Sequence, residues 1–382
     1  MQGESNGHSG KRIFIIGGEA SGDLHGSNLA RALKQQSPGL ELAGWGGDLM
    51  SAQGVRILKH YRELAFMGFI EVLMNIRTIM KNFRLCKDMI TSFKPDAIVM
   101  IDYPGFNLRM AKWAFEQGIP VHYYISPQIW AWKENRVHDI RKYVTRMYVV
   151  LPFEKSFYAK HEYDVDFVGH PLLDVVSGFE SHSRESFLSR HHLADKPILA
   201  LIPGSRKQEI QVMMPLMLEA AERFPDYQIV LTAAPSQDIS FYQSLIGRHQ
   251  VKIISGDTYG VMKHASAGFV TSGTATLEAA LFGLPQVVCY KGSAISYYIA
   301  RKLIKVKYIS LVNLIADREV VKELIQHHLN CNEMSDEMNK LLNDQNYRST
   351  MLRSYEQLRE QLGGQGASER TAKLMLKSIC GV

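Results

Sequence analysis

The sequence predicts an α/β protein of two doubly wound units, each a parallel sheet with helices on both faces. Short β-branched runs alternate with helical stretches along most of the chain, and such alternation builds parallel sheets. Small-residue turns close several of these runs and open helices. At 382 residues the chain also exceeds what one core ordinarily supports.

The first series of strands is expected at residues 12–16, 97–101, 121–125 and 146–151. Phe167-Val168-Gly169-His170-Pro171 ends it, and the polar stretch 177–196 precedes a second series at 198–202, 228–232, 251–254, 268–271 and 286–290. The expected divisions are a flexible tail at 1–10, an N-terminal Rossmann-like unit at 11–175 and a linker at 176–195. A second Rossmann-like unit at 196–350 and C-terminal helices at 351–382 complete the chain. Gly363-Gly364-Gln365-Gly366 interrupts those helices and lets the last one swing onto another surface, with the first unit as the expected one.

A chain that is 46% hydrophobic and 21% charged is folded and globular. No apolar run approaches the roughly 18 residues that span a bilayer. The first ten residues lack the apolar segment of a signal peptide, so the chain is expected to stay in the cytoplasm. Cys86, Cys289, Cys331 and Cys380 lie too far apart for a zinc knuckle or a disulfide framework to be read from them. The net charge of +6 favours anionic partners, a class that includes nucleic acid, phospholipid and phosphorylated metabolites.

Gly17-Gly18-Glu19-Ala20-Ser21-Gly22-Asp23-Leu24-His25-Gly26 follows the first strand. It is a glycine-rich turn feeding a helix, where free N–H groups favour an anion, although the glycines alone would also serve a tight turn. The dinucleotide pattern GxGxxG is absent. In the second series, Gly204-Ser205-Arg206 lies between strand and helix, and Arg206 can fork onto phosphate oxygens. Ser272-Gly273-Thr274 repeats the arrangement, with Glu278 one turn inside the helix and able to accept hydrogen bonds from a ribose diol. Asp102 stands at the carboxyl edge of its strand, as a general base or as the N-cap of a helix starting near Asn107. Gln128, Trp130, Trp132 and Lys133 follow another strand and suit a sugar or acyl pocket or a plain packing loop. Asp164-Val165-Asp166 falls inside a strand pattern, and the adjacent pairs His191-His192 and His327-His328 cannot converge from one helix face. No metal or other cofactor site is indicated.

Taken together, Gly18 to Asp23, Asp102-Tyr103-Pro104-Gly105-Phe106-Asn107, Ser126-Pro127-Gln128-Ile129-Trp130-Ala131-Trp132, Phe167 to Pro171, Pro203 to Arg206, Thr271 to Glu278 and Asn313-Leu314-Ile315 resemble the lipid-A-disaccharide synthase family. The resemblance runs from about residue 12 to the C-terminal helix in the expected order, with Gly105 departing from the family pattern. It implies GT-B architecture, two Rossmann-like domains facing a cleft. It also implies an inverting, metal-independent transfer of 2,3-diacylglucosamine from UDP to the 6-hydroxyl of 2,3-diacylglucosamine 1-phosphate. On this resemblance Asp102 is the base, with Glu19 and His25 near the reacting sugars and Ser21, Gln128 and Trp130 in the acceptor pocket. Gly204, Ser205, Arg206, Gly273, Thr274 and Asn313 take the diphosphate side, and Glu278 the ribose. The rival readings are a UDP-N-acetylglucosamine 2-epimerase, the transferase of the peptidoglycan lipid precursor, and a non-catalytic nucleotide-sugar-binding membrane adaptor.

Acylated substrates imply work at an anionic membrane surface, on the inner face of the inner membrane, and no nucleic-acid partner. The candidate surface is residues 64–87, where Phe69, Leu73, Ile76, Met80 and Phe83 recur at helical steps beside Arg77, Lys81, Arg84 and Lys87. A second basic and aromatic stretch at 297–308 carries Arg301, Lys302, Lys305 and Lys307. A homodimer is left open.

Overall fold

The computed structural model describes residues 10–64, 76–293 and 306–381. The chain forms two compact units. One runs to Asp174 and resumes at Leu362, and the other is Val175–Gln361.

The first unit holds a parallel sheet of β1 (Arg12–Gly17), β2 (Glu41–Gly46), β3 (Arg56–His60), β4 (Ala97–Ile101), β5 (Val121–Tyr124), β6 (Arg146–Val149) and β7 (Asp166–Phe167). Their order is β3-β2-β1-β4-β5-β6-β7. The second unit holds β8 (Ile198–Ile202), β9 (Gln228–Ala233), β10 (Lys252–Ser255), β11 (Ala267–Thr271), β12 (Gln286–Tyr290) and β13 (Lys322–Ile325), in the order β10-β9-β8-β11-β12-β13. In each sheet the chain winds outward one way, returns to the centre and winds outward the other way. This creates a switch point between β1 and β4, and another between β8 and β11, where open α/β sheets bind ligands.

Strands β4 and β8 are buried along their whole length, as a sheet covered on both faces requires. The periodicity reading omits β2, β3 and β13 for physical reasons. In β2 a Cβ on Gly44 would come within 1.9 Å of the Ile15 carbonyl oxygen on β1, so the strand carries a glycine where a β-branched residue would have marked it. β3 and β13 are edge strands, half-buried and charged, which weakens their apolar signature.

In the first unit Phe106 stacks between Phe83, at 4.4 Å, and Trp45, at 5.2 Å. These contacts seat the helix Ile76–Phe93 on the core through Phe83, Cys86, Ile90 and Phe93. Phe83, expected on a membrane-facing stripe, is therefore a core residue. Phe69, Leu73, Arg301, Lys302 and Lys305 lie outside the described residues, as do residues 1–9. In the second unit the stretch expected as a linker contains the helix Arg184–Arg190, capped by Ser183, whose Phe187 and Leu188 pack with Ile198, Ile202 and Val270.

The helix Gln345–Gln361 stays with the second unit, while Ala367–Cys380 packs in the first against Ala20–Gln36. Asp174 accepts hydrogen bonds from the N–H groups of Gly366, at 2.6 Å, and Ser368, at 3.2 Å. Arg370 donates to the Val168 carbonyl at 2.9 Å and to those of Gly363 and Gly364. The glycine break is thus clamped by one carboxylate and one guanidinium.

Candidate functional site

Two clusters form at the switch points, one in each unit. In the first, the turn after β1 meets the end of β4. Asp102 and Tyr103 both adopt left-handed backbones, with φ of 44° and 51°, a conformation that costs about 1–3 kcal/mol per residue. Three bonds hold it. The Asp102 carbonyl accepts from Asn107 Nδ2 at 2.7 Å and from the Tyr123 hydroxyl at 2.6 Å, and the Asp102 N–H donates to Tyr124 O at 3.2 Å. The helix starts at Pro104, so Asp102 is not its N-cap and Asn107 lies inside it, fastening Asp102 from below.

The ring of Tyr103 lies over Gly18, where an added Cβ would sit 2.3 Å from it. Burial first and the charge of Glu19 second push the Asp102 carboxyl up to about 6, while the Tyr103 N–H opposes. Such a group is ionised at neutral pH yet more basic than an ordinary aspartate, which suits a general base.

Its neighbours divide. Ser21 is exposed in the first turn after Glu19. Asp23 turns away and accepts the N–H groups of Gly47, Leu49 and Met50. His25 is buried, its Nδ1 has no hydrogen-bond partner, and burial pulls its pKa down to about 4 against the charge of Asp174. It also acts on His170. His25 is thus neutral at pH 7, and the charge that acts on it is that of Asp174.

The end of β5 continues the edge. Ile125 has φ of 66°, an outlier for a β-branched residue. Beyond it the Ser126 and Tyr158 hydroxyls bond at 2.7 Å, Trp130 Nε1 donates to Glu154 at 3.2 Å, and Gln128 is exposed. Glu154 also accepts the Val150 and Leu151 N–H groups, and burial pushes its carboxyl up to about 7 against these bonds. Sequence reasoning missed Asn107, Tyr123 and Glu154. Only Glu154 left a trace, as an acid in the first turn of a helix opened by Pro152.

In the second unit the loops after β8 and β11 flank the other switch point. Gly204 and Gly273 have φ of 99° and 150°, backbone conformations open to glycine alone. Ser205 and Thr274 are exposed, and Thr274 is the first residue of the helix Thr274–Leu281. Arg206 is 64% exposed in its side chain and reaches Glu209 at 3.3 Å. Such an exposed pair is worth about 0–1 kcal/mol and exchanges readily for an anion. Glu278 accepts from the Tyr259 hydroxyl at 2.9 Å, and burial raises its carboxyl while that bond opposes. Tyr259 is a further residue that sequence reasoning missed.

Asn313 is not placed as expected. It is fully buried. Its Nδ2 donates to the Val321 carbonyl and to Glu323, and its Oδ1 accepts the N–H groups of Val320 and Val321, so the amide is used up holding the turn before β13. Asp166 is paired with Arg146 at 3.0 Å. Among the described residues no group of three His, Cys, Asp or Glu side chains is placed to hold a metal ion.

On the helix Ile76–Phe93, Arg77, Met80, Lys81 and Arg84 share one exposed face, with Met80 61% exposed. Among the described residues no helix is long and apolar enough to cross a membrane.

The lipid-A-disaccharide synthetase family model matches residues 13–378. The lipid-A-disaccharide synthase of Syntrophus aciditrophicus is 41% identical over 377 residues, covering 97% of this chain and 98% of that one. The enzyme of the same name from Coxiella burnetii strain Dugway 5J108-111 is 39% identical over 372 residues, covering 96% and 98%. Among solved structures, the S. aureus MnaA–UDP structure matches with a TM-score of 0.70 at 14% identity, over 97% of this chain and 98% of that one. The calicheamicin glycosyltransferase CalG4 matches at 0.57 and 16%, over 97% and 98%. At such identities the structural likeness establishes the α/β, GT-B fold class alone.

Proposed function

This chain belongs to the lipid-A-disaccharide synthetase family, and from that premise we propose how its two clusters divide the chemistry. It is a glycosyltransferase of lipid A disaccharide formation. The donor is UDP-2,3-diacylglucosamine and the acceptor 2,3-diacylglucosamine 1-phosphate. The observation that carries the assignment of roles is Asp102, a partly buried carboxylate of raised pKa on a strained turn beside Glu19.

In the reaction Asp102 takes the proton of the acceptor 6-hydroxyl as that oxygen attacks the anomeric carbon in line. The bond from this carbon to the diphosphate oxygen breaks, its electron pair leaves with UDP, and the configuration inverts. The negative charge growing on the diphosphate is met by Arg206 and by the N–H groups that open the helices Lys207–Ala221 and Thr274–Leu281. Glu278, steadied by Tyr259, accepts the ribose hydroxyls. The exposed Arg77, Met80, Lys81 and Arg84 rest on an anionic membrane surface that holds the acylated substrates. The deciding assay offers purified protein the acylated donor and acceptor, with unacylated UDP-N-acetylglucosamine as control. Disaccharide from the acylated pair alone is expected, and product from the control alone would overturn the assignment.

A further inference from the structure

Trp132 ends the short helix Ile129–Trp132 and is 48% exposed. Two cations are gathered on it. Lys133 Nζ lies 4.2 Å from the ring centroid and the Arg136 guanidinium carbon 5.8 Å. Among the described residues neither has a carboxylate partner. The Lys133 ammonium is pulled below its ordinary pKa by burial and then by the like charge of Arg136. Two cations on one indole without a counter-charge repel each other until an anion completes the set.

The cluster also has a defined place on the sheet. It follows β5, next to β4 and its Asp102. The Tyr123 hydroxyl that donates to the Asp102 carbonyl at 2.6 Å lies within the field of Arg136. An anion held by Lys133 and Arg136 therefore sits in the neighbourhood of the catalytic base.

We infer that Trp132, Lys133 and Arg136 form the subsite for the phosphomonoester of the acceptor, and so select a phosphorylated sugar over a neutral one. The inference rests on Asp102 receiving the acceptor 6-hydroxyl. C1 and C5 of a hexosamine flank the ring oxygen and C5 carries C6, so a sugar presenting its 6-hydroxyl to Asp102 carries its 1-phosphate only a ring's breadth away. A phosphate dianion matches two cations, with the guanidinium fork fixing its orientation. The indole face offers the sugar ring an apolar floor.

The test measures calorimetric binding of phosphorylated and dephosphorylated diacylglucosamine to UDP-loaded full-length protein, alongside steady-state kinetics. Wild type should bind the phosphorylated sugar at least roughly tenfold more tightly. In the Lys133→Gln/Arg136→Gln double variant that preference should collapse, with acceptor KM raised roughly tenfold or more and donor KM unchanged. Arg136→Lys, which keeps charge but not the fork, should retain part of the preference. Equal wild-type affinity for the two sugars overturns the proposal without any variant, as does a folded double variant that keeps the preference. Loss of sedimentation with phosphatidylglycerol vesicles, the preference being intact, assigns the cations to a lipid headgroup and also overturns it. Preferential binding without turnover leaves the subsite standing and removes the catalytic reading instead.

Discussion

Asp102 combines a strained backbone with a pocket that disfavours its charge, so the turn that holds it costs stability at neutral pH. Its folded pKa of about 6 lies above its ordinary value of 3.8. The stability this group contributes is therefore fully present below the ordinary value and lost as pH rises through the folded one. Asp102→Asn should consequently melt above wild type at pH 8 and no higher at pH 4. The same substitution should lower kcat roughly a hundredfold or more with UDP affinity kept, because it removes basicity without altering any residue assigned to the nucleotide. Wild-type kcat/KM should fall about tenfold per unit as pH drops below about 6, since the protonated acid cannot accept the hydroxyl proton. A rate independent of pH from 5 to 8 would remove Asp102 as the base. For Arg206→Ala, loss of a charge-assisted contact to diphosphate contributing about 1.5–3 kcal/mol predicts at least a roughly tenfold loss in donor use. Wild-type kinetics in that variant, with normal folding, would clear the loop after β8 of this role.

At the scale of elements, the joint at residues 363–366 is decided by side chains distant in sequence. Asp174 caps the start of the helix Ala367–Cys380, and Arg370 collects carbonyls of the glycine turn. Asp174→Ala should destabilise that docking by about 1–2 kcal/mol, the usual effect of losing a capping carboxylate. Limited proteolysis should then cut at the glycine turn faster than in wild type, with UDP binding preserved. Equal cleavage rates would show that apolar packing alone holds the helix. The helix Ile76–Phe93 illustrates the opposite case, in which one pattern serves two surfaces. Its Phe83 stacks on Phe106 while Met80, three residues earlier, faces outward beside three cations. Helical spacing marks the stripe, but only the position of Phe106 says which of the two points into the core.

For the whole molecule, the net charge of +6 acquires a direction from that helix. Arg77, Lys81 and Arg84 have no carboxylate partner among the described residues, so they act as a concentrated source of positive potential. Replacing all three with Glu should sharply reduce sedimentation with anionic vesicles. Wild-type binding should weaken as salt rises, because exposed charges are screened over about 10 Å at 0.1 M. Vesicle binding unchanged in the triple variant at low salt would take this face out of the membrane assignment.

What the chain determines by itself is carried by local signals. β-branched runs of strand length, and glycines where the backbone must turn left-handed, marked the central strands, the turns after β8 and β11 and the strand end that carries Asp102. These are legible because each depends on residues a few places apart. Strand β2 was hidden because its glycine answers to a carbonyl on β1, and the edge strands β3 and β13 because half-burial dilutes their pattern. The two candidate clusters were legible as strand-end turns but not in their supports. Asn107 and Tyr123 hold Asp102, Tyr259 holds Glu278, and Glu154 holds Trp130, each through a hydrogen bond that only folding creates. Tertiary structure alone also withdrew Asn313 into the turn before β13 and buried His25 with its Nδ1 unpartnered. Residue type and spacing state what a side chain can do, while burial and the partners that reach it across the fold decide which of those things it does.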